Sequence, residues 1–161
     1  YQVAQAEEAA KKEGLEAVKY AVPSTNEIAQ TVQVMSRQVD FIYVPLDNTI
    51  ANAMQTVVKE ANKANIPVIP SVDTMVEQGG LATIGINQYQ LGLQSGKMAA
   101  ELASGKEKPE TTPVYTFDQG DTVINQSQAD RLGIIVPQSM KEKAKIITDD
   151  SQQETSKEDD K

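Results

Sequence analysis

The sequence predicts an α/β protein built on a parallel, doubly wound sheet with helices on both faces. The first observation is a central unit between Val39 and Ile69, which consists of an apolar run, a turn that begins at Pro45, an amphipathic stretch and a second apolar run. This order is typical of a β-strand, a crossover helix and a parallel β-strand. The second observation is that strand-like and helix-like segments alternate with short loops over residues 1–105, which favours a three-layer α/β/α architecture.

Each predicted element has its own local signal. Ala, Glu and Lys dominate residues 3–13 and predict a helix that Gly14 ends. Ser24 and Glu27 have the spacing of a capping box and open a second helix. In chain order we predict helix 3–13, strand 15–22, helix 24–37, strand 39–44, helix 50–64, strand 66–69, a helical turn at 75–78, strand 81–86 and helix 89–104.

Helical spacing also predicts which side chains are buried. In the first helix Val3, Ala6 and Ala10 would face the sheet. In the helix 89–104 the buried face would consist of Leu93, Met98, Ala99 and Leu102.

The pattern changes after Gly105. Residues 106–113 form a charged, Pro-containing linker, residues 114–117 a short strand, and residues 118–123 a polar crossing. A short helix is predicted over 125–132, with Gly133 as its cap, and a helix-like stretch over 138–144. These pieces do not complete the first sheet in an obvious way, so we expect them to cross toward a different body.

Composition excludes several function classes. The chain has 161 residues, enough for one domain, and contains neither Cys nor His, so thiol chemistry, zinc–thiolate sites and histidine catalysis are ruled out. A net charge of −8 without a basic, aromatic-lined patch argues against nucleic-acid binding. No phosphate-binding glycine motif and no metal-ligating cluster is visible, and we therefore expect no cofactor and no metal.

Polar side chains follow three of the predicted strands. Because the carboxyl ends of parallel strands share one edge of a sheet, these side chains should meet there, and that edge is where ligands bind in open α/β sheets. The arrangement suits a small zwitterion, with hydroxyls and helix N-termini facing a carboxylate and an aspartate facing an ammonium group. The candidate ligand-binding residues are Asp47, Asn48, Thr49, Ser71, Asp73 and Asn87.

Two other roles are open to the same residues. Asp, Asn, Ser and Thr are the preferred helix N-caps, so any one of them taken singly is interpreted as a cap. Asp47 and Asp73 also have the chemistry of a general acid/base pair. No nucleophile or metal cluster accompanies them, and we therefore assign no catalytic residue and expect no enzyme.

Several motifs together carry a family resemblance that spans most of residues 14–144. They are VPLDN at 44–48, IPVIPSVD at 66–73, GGLATIGIN at 79–87 and INQSQADRLGIIVP at 124–137. In combination they resemble the solute-binding proteins of ABC importers, in the branch associated with tryptophan and related aromatic amino acids.

The resemblance implies two Rossmann-like lobes that close on a ligand between them, the type I periplasmic-binding-protein fold. It divides the chain into a Rossmann-like ligand-binding second lobe (1–105) and a hinge and crossing segment (106–148), and composition predicts a disordered acidic tail over 149–161. The tail holds six acidic residues against two lysines. The chain opens on a helix at Tyr1, so we expect that the first strand of the sheet and the first lobe are missing from it, and that the fragment alone binds weakly or not at all.

The resemblance also implies a function. We expect a component that captures a small solute, an aromatic amino acid such as tryptophan, and presents it to an ABC permease. Members of the family are exported, so the expected location is extracytoplasmic, on a cell-surface lipoprotein or in the periplasm. Two alternatives stay open: a ligand-sensing lobe of a transcriptional regulator with the same architecture, and a carboxylate-dependent sugar or nucleotide enzyme. An upstream DNA-binding helix-turn-helix would identify the regulator, and an upstream lipoprotein leader the transport protein.

Overall fold

A computed structural model describes residues 1–116 and 120–148 of the chain. Within these ranges helices and strands alternate, and a 3₁₀ turn covers Thr25–Glu27. The helices are α1 (Gln2–Lys12), α2 (Ile28–Met35), α3 (Asn48–Ala51), α4 (Met54–Lys63), α5 (Asp73–Glu77), α6 (Gln88–Ala103), α7 (Gln126–Leu132) and α8 (Gln138–Lys141). The strands are β1 (Ile42–Val44), β2 (Val68–Pro70), β3 (Ala82–Gly85), β4 (Asp121–Asn125) and β5 (Ala144–Ile147).

The central strand–helix–strand unit is confirmed. β1 and β2 pair in parallel, with Ile42 opposite Val68. Ile42 and Val44 point to the same face of β1, where α2 and α4 pack, and Met54 at the start of α4 is fully buried there. The single helix predicted over 50–64 is in fact two helices, because the chain turns between α3 and α4.

The remaining strands form a second, three-stranded sheet of mixed order, β3–β4–β5, beside this two-stranded unit. Leu81, just before β3, donates its N–H to the carbonyl of Val68 in β2 at 2.7 Å. β4 then pairs with β3 in the antiparallel sense, and β5 pairs with β4 in parallel. The prediction of an α/β chain with parallel strands therefore holds for β1–β2 and β4–β5, whereas the antiparallel pair β3–β4 was not predicted.

Residues 106–148 differ most from the predicted elements. The strand expected at 114–117 is irregular over 114–116, and its last residue lies outside the described ranges, as does the tail 149–161. The polar crossing expected at 118–123 is wrong from Asp121 onward, because β4 begins there. The helix at 125–132 and its cap are confirmed, since α7 ends at Gly133 with φ 67°. Among these residues β4 pairs with β3 and β5 pairs with β4, and the role of the segment as a hinge stays a prediction.

The strand predicted over 15–22 is wrong, and the reason is the lack of a partner. A strand is stable only when a neighbouring strand pairs with its backbone groups, and none of the described strands lies beside these residues. Val22 still packs against the main core. The capping box is also incomplete, because the Ser24 hydroxyl bonds to the Glu27 carboxylate at 3.2 Å and caps no backbone N–H of the helix.

The bounds of the first and the longest helix are confirmed, but the predicted buried faces are wrong. Neither α1 nor α6 buries a residue, and Leu93 in α6 is 45 % exposed. Helical periodicity identifies the apolar face of a helix but does not supply the surface that covers it. In the described part of the chain nothing covers these two faces fully.

One charged residue is buried in the contact between α2 and α4. The side chain of Glu60 is 8 % exposed and accepts hydrogen bonds from Lys63 at 2.7 and 2.8 Å and from Gln33 of α2 at 2.9 Å. These bonds lower the pKa of Glu60 below its ordinary value. The hydrogen bond from Lys63 is the main cause, and the one from Gln33 is the next. The ionised carboxylate therefore stabilises the packing of these two helices.

We expect Glu60→Gln to lower the thermal midpoint at pH 7 and to lose this effect in acid. A depressed folded-state pKa contributes stability that is present above the unfolded pKa, about 4.3, and is lost as the pH falls through the lower folded value. Thermal unfolding between pH 7 and pH 3 measures the difference. The control is Glu110→Gln at an exposed position, and a Glu60→Gln midpoint equal to that of the wild type at pH 7 would contradict the assignment.

Candidate ligand-binding site

The loops that follow β1, β2 and β3 lie at a common edge of the two adjacent sheets. β1 and β2 are parallel, so their carboxyl ends share this edge. The end of β3 joins them, because a Cβ atom built on Gly85 would lie 3.5 Å from the backbone nitrogen of Asp73 and 3.6 Å from Cα of Val72. The structure thus brings together the three loops at which the sequence analysis predicts a ligand site.

A cavity of about 510 Å³ opens at the part of this edge formed by α5, β3, β4 and β5. Its volume lies within the usual range of small-molecule pockets, roughly 300–1,000 Å³. Two aspartates and two lysines belong to its lining, together with the end of β3 and the start of β4. The lining residues that carry chemistry are Asp73, Asn87, Asp121, Thr122, Lys143 and Lys145.

Strand register explains why the charged residues meet. Gly85 of β3 lies opposite Asp121 of β4, and Thr122 lies opposite Ala144 of β5, so Lys143 follows in the same row beside Asp121. Because side chains two residues apart share a face, Lys145 points to the same side as Lys143. α5 covers this face, since Glu77 at its end accepts a hydrogen bond from Lys145 at 3.3 Å.

Hydrogen bonds hold the polar groups of the cavity in place. Asn87 accepts the N–H of Gln90 at 3.0 Å as the N-cap of α6, and its amide nitrogen donates to Asp121 Oδ2 at 2.8 Å. Asp73 Oδ1 accepts the N–H of Thr74 at 2.9 Å. Asn87 therefore acts both as a cap and as an anchor that fixes one carboxylate of the cavity.

The six residues predicted from the sequence divide into two groups. Asp73 and Asn87 line the cavity, whereas Asp47, Asn48, Thr49 and Ser71 do not. Asp47 caps α3 by accepting the N–H of Ile50 at 3.1 Å, and the other two residues of that loop are exposed. The hydroxyl of Ser71 is buried and has no hydrogen-bond partner among the described residues. A binding role for any of the six stays a prediction.

Sequence reasoning missed Asp121, Lys143 and Lys145. They reach the cavity through the pairing of β4 with β3 and of β5 with β4, contacts between segments far apart in the chain. Local periodicity carries no signal of such pairing. The only local signal of a strand there is the short apolar run Ile146–Ile147 at the end of β5.

A second, smaller cavity of about 170 Å³ lies at the opposite end of β4. Its polar side chains bond to the protein itself, with Gln128 Nε2 donating to Asn62 Oδ1 at 2.6 Å and Arg131 donating to the carbonyl of Asn62 at 3.1 Å. These bonds attach α7 to α4, which indicates a structural role. Within residues 1–116 and 120–148 no group of three acidic side chains is arranged to hold a metal ion.

The profile of the ABC transporter substrate binding protein family matches residues 1–147. The chain therefore belongs to this family of solute-binding proteins, and the expectation that it is not an enzyme is confirmed. A curated relative, the tyrosine-binding protein of Clostridioides difficile strain R20291, is 36 % identical over 117 residues, which are 73 % of this chain and 34 % of that protein. No helix in the described ranges is both long and apolar enough to span a bilayer.

Solved structures confirm the fold class. An ABC domain from Streptococcus pneumonia in complex with L-Trp has a TM-score of 0.83 and 46 % identity, over 91 % of this chain and 50 % of that one. A conserved domain protein from Vibrio cholerae has a TM-score of 0.80 and 28 % identity, over 91 % of this chain and 49 % of that one. The chain thus spans about half the length of these structures and about a third of the curated relative.

Two glycines at the cavity, Gly85 and Gly120, differ in how much space surrounds them. Alanine substitutions at the two positions therefore form a matched pair. A Cβ on Gly120 would lie 2.9 Å from the carbonyl oxygen of Gly85 and 2.8 Å from Ile84 Cγ2, whereas a Cβ on Gly85 meets nothing closer than 3.4 Å. We expect Gly120→Ala to cost about 1–3 kcal/mol, and Gly85→Ala to change stability by less than about 1 kcal/mol. Chemical denaturation measures both, and equal costs would contradict the close approach of β3 and β4.

Proposed function

We propose that this chain belongs to the solute-binding component of an ABC importer and that its cavity is one wall of the cleft that captures an amino acid. The single observation that carries the proposal is the position of the cavity at the carboxyl end of β3, beside the start of α5 that follows β2 and at the amino ends of β4 and β5. The carboxyl ends of strands are where open α/β sheets bind ligands. The ligand class follows from the relatives. One is crystallised with L-Trp and another is named a tyrosine-binding protein.

The charges around the cavity support an amino acid over a sugar. Asp73 and Asp121 supply acceptors for an ammonium group, and Lys143 and Lys145 supply donors for a carboxylate. A neutral sugar carries no charged groups that would pair with these side chains. Further along the same edge the predicted residues Asp47, Asn48, Thr49 and Ser71 would extend the wall.

The cavity offers little apolar surface for an aromatic ring. Ile86 and Val123 are its hydrophobic lining residues, and Val123 is only 2 % exposed. Because aromatic ligands gain much of their affinity from apolar enclosure, the ring must be covered by another part of the protein. The first lobe, expected outside this chain, would supply that cover and close the cleft, with residues 106–148 as the hinge segment.

The proposal extends to transport. The closed protein would deliver its amino acid to the membrane permease of the importer, from outside the cytoplasm, in the periplasm or as a cell-surface lipoprotein. The match of residues 1–147 to an ABC substrate-binding family favours this role over a ligand-sensing lobe of a transcriptional regulator.

Isothermal titration calorimetry tests the ligand class. L-Tryptophan, L-tyrosine and L-phenylalanine are titrated into the full-length gene product and into this chain, with L-leucine and ribose as controls. We expect micromolar or tighter binding of an aromatic amino acid to the full-length protein. This chain should bind at least about tenfold more weakly, since a loss of about 1.4 kcal/mol corresponds to a factor of ten and half of the enclosure is absent.

A variant pair shows whether binding uses this wall. Asp73→Ala removes a cavity carboxylate and should weaken amino-acid binding by about tenfold or more, whereas Asp40→Ala, at an exposed position before β1, should leave binding unchanged. If the full-length protein preferred ribose, or bound none of the amino acids, the proposed function would be overturned.

A further inference from the structure

We infer that Lys143 holds the carboxylate of the bound amino acid, while Asp121 and Asp73 hold its ammonium group. The inference deepens the proposed function and rests on it. It assigns the recognition of the zwitterion to residues of β4, β5 and α5, and so places half of the site in the segment 120–147.

The first observation is the position of Lys143 relative to Asp121. The register Thr122–Ala144 between β4 and β5 sets these two residues side by side at the rim of the cavity. Neighbouring strands lie about 4.8 Å apart, and paired residues point to the same face. A lysine and an aspartate therefore occupy neighbouring positions at the rim, so that an amino acid bound there could meet one group of each sign.

The second observation is that these charges do not neutralise each other. No salt bridge of the described residues includes Lys143, Asp121 or Asp73, whereas Lys145 is bound to Glu77 at 3.3 Å. Of the two cavity lysines, Lys143 is therefore the one that keeps its ammonium group available. A ligand carboxylate can bind it without breaking an existing ion pair of the described chain.

The third observation concerns the orientation of the carboxylates. Asn87 donates to Oδ2 of Asp121, and the N–H of Thr74 donates to Oδ1 of Asp73, so each aspartate is held by one oxygen. The second oxygen of each accepts no hydrogen bond from the described residues. Two oriented acceptors suit an ammonium group, which has several N–H donors to satisfy.

A cycle of two proteins and two ligands tests the role of Lys143. The full-length wild type and Lys143→Met are titrated with L-tryptophan and with tryptamine, which lacks the carboxylate; L-tyrosine and tyramine replace them if the wild type prefers tyrosine. We expect Lys143→Met to weaken amino-acid binding by about 10- to 100-fold, from a charged hydrogen bond of about 1.5–3 kcal/mol, and to leave binding of the amine unchanged. Lys143→Arg should retain most of the affinity.

The controls separate this inference from the proposed function. Lys97→Met removes an exposed lysine on α6 and should change neither titration. Equal losses for the amino acid and the amine, or no loss for either, would overturn the role of Lys143 while leaving the proposed function intact. A wild type that binds no amino acid would overturn both. The role of Asp121 is tested by Asp121→Asn, which should weaken binding of the amino acid and of the amine alike because both ligands carry the ammonium group.

Discussion

The position of α5 depends on two adjacent buried side chains, and the cavity depends on α5. Met75 and Val76 are both fully buried, but Met75 belongs to the main core with α2, α4 and β1, whereas Val76 packs with Val123 and Ile147 of β4 and β5. One short helix therefore joins the two groups of strands. Because burial of such side chains contributes about 1.5–3 kcal/mol each, the start of the helix, and with it Asp73, is held at the edge where β3 ends.

The same arrangement explains what kind of half-site the chain presents. Its polar groups are well defined, since Asn87 and the backbone of α5 orient the carboxylates, but its apolar surface is small. In the proposed function such a wall would recognise the charged end of an amino acid and leave the choice of side chain to another part of the protein. The chain spans about half the length of the solved relatives, which agrees with a cleft that two lobes complete.

Sequence reasoning succeeded where structure is local and failed where it depends on distant partners. Alternation and helical spacing located β1, β2, α6 and α7, and the turn residues placed Asp73 and Asn87 at the edge where the larger cavity lies. The antiparallel pair β3–β4 and the strand β5 could not be predicted, because pairing between distant segments leaves no periodic signal. Residues 15–22 have the composition of a strand but lack a neighbour, and the apolar faces of α1 and α6 have no full cover in the described chain.

The most direct test of the account is a crystal structure of the full-length protein with its amino acid bound. The account predicts that the amino and carboxylate groups of the ligand lie in the cavity between α5 and the rim of β3–β5, within hydrogen-bond distance of the polar side chains there, and that the ligand side chain points toward the other lobe. A ligand bound at the smaller cavity at the opposite end of β4, or one whose charged groups contact only the other lobe, would contradict it.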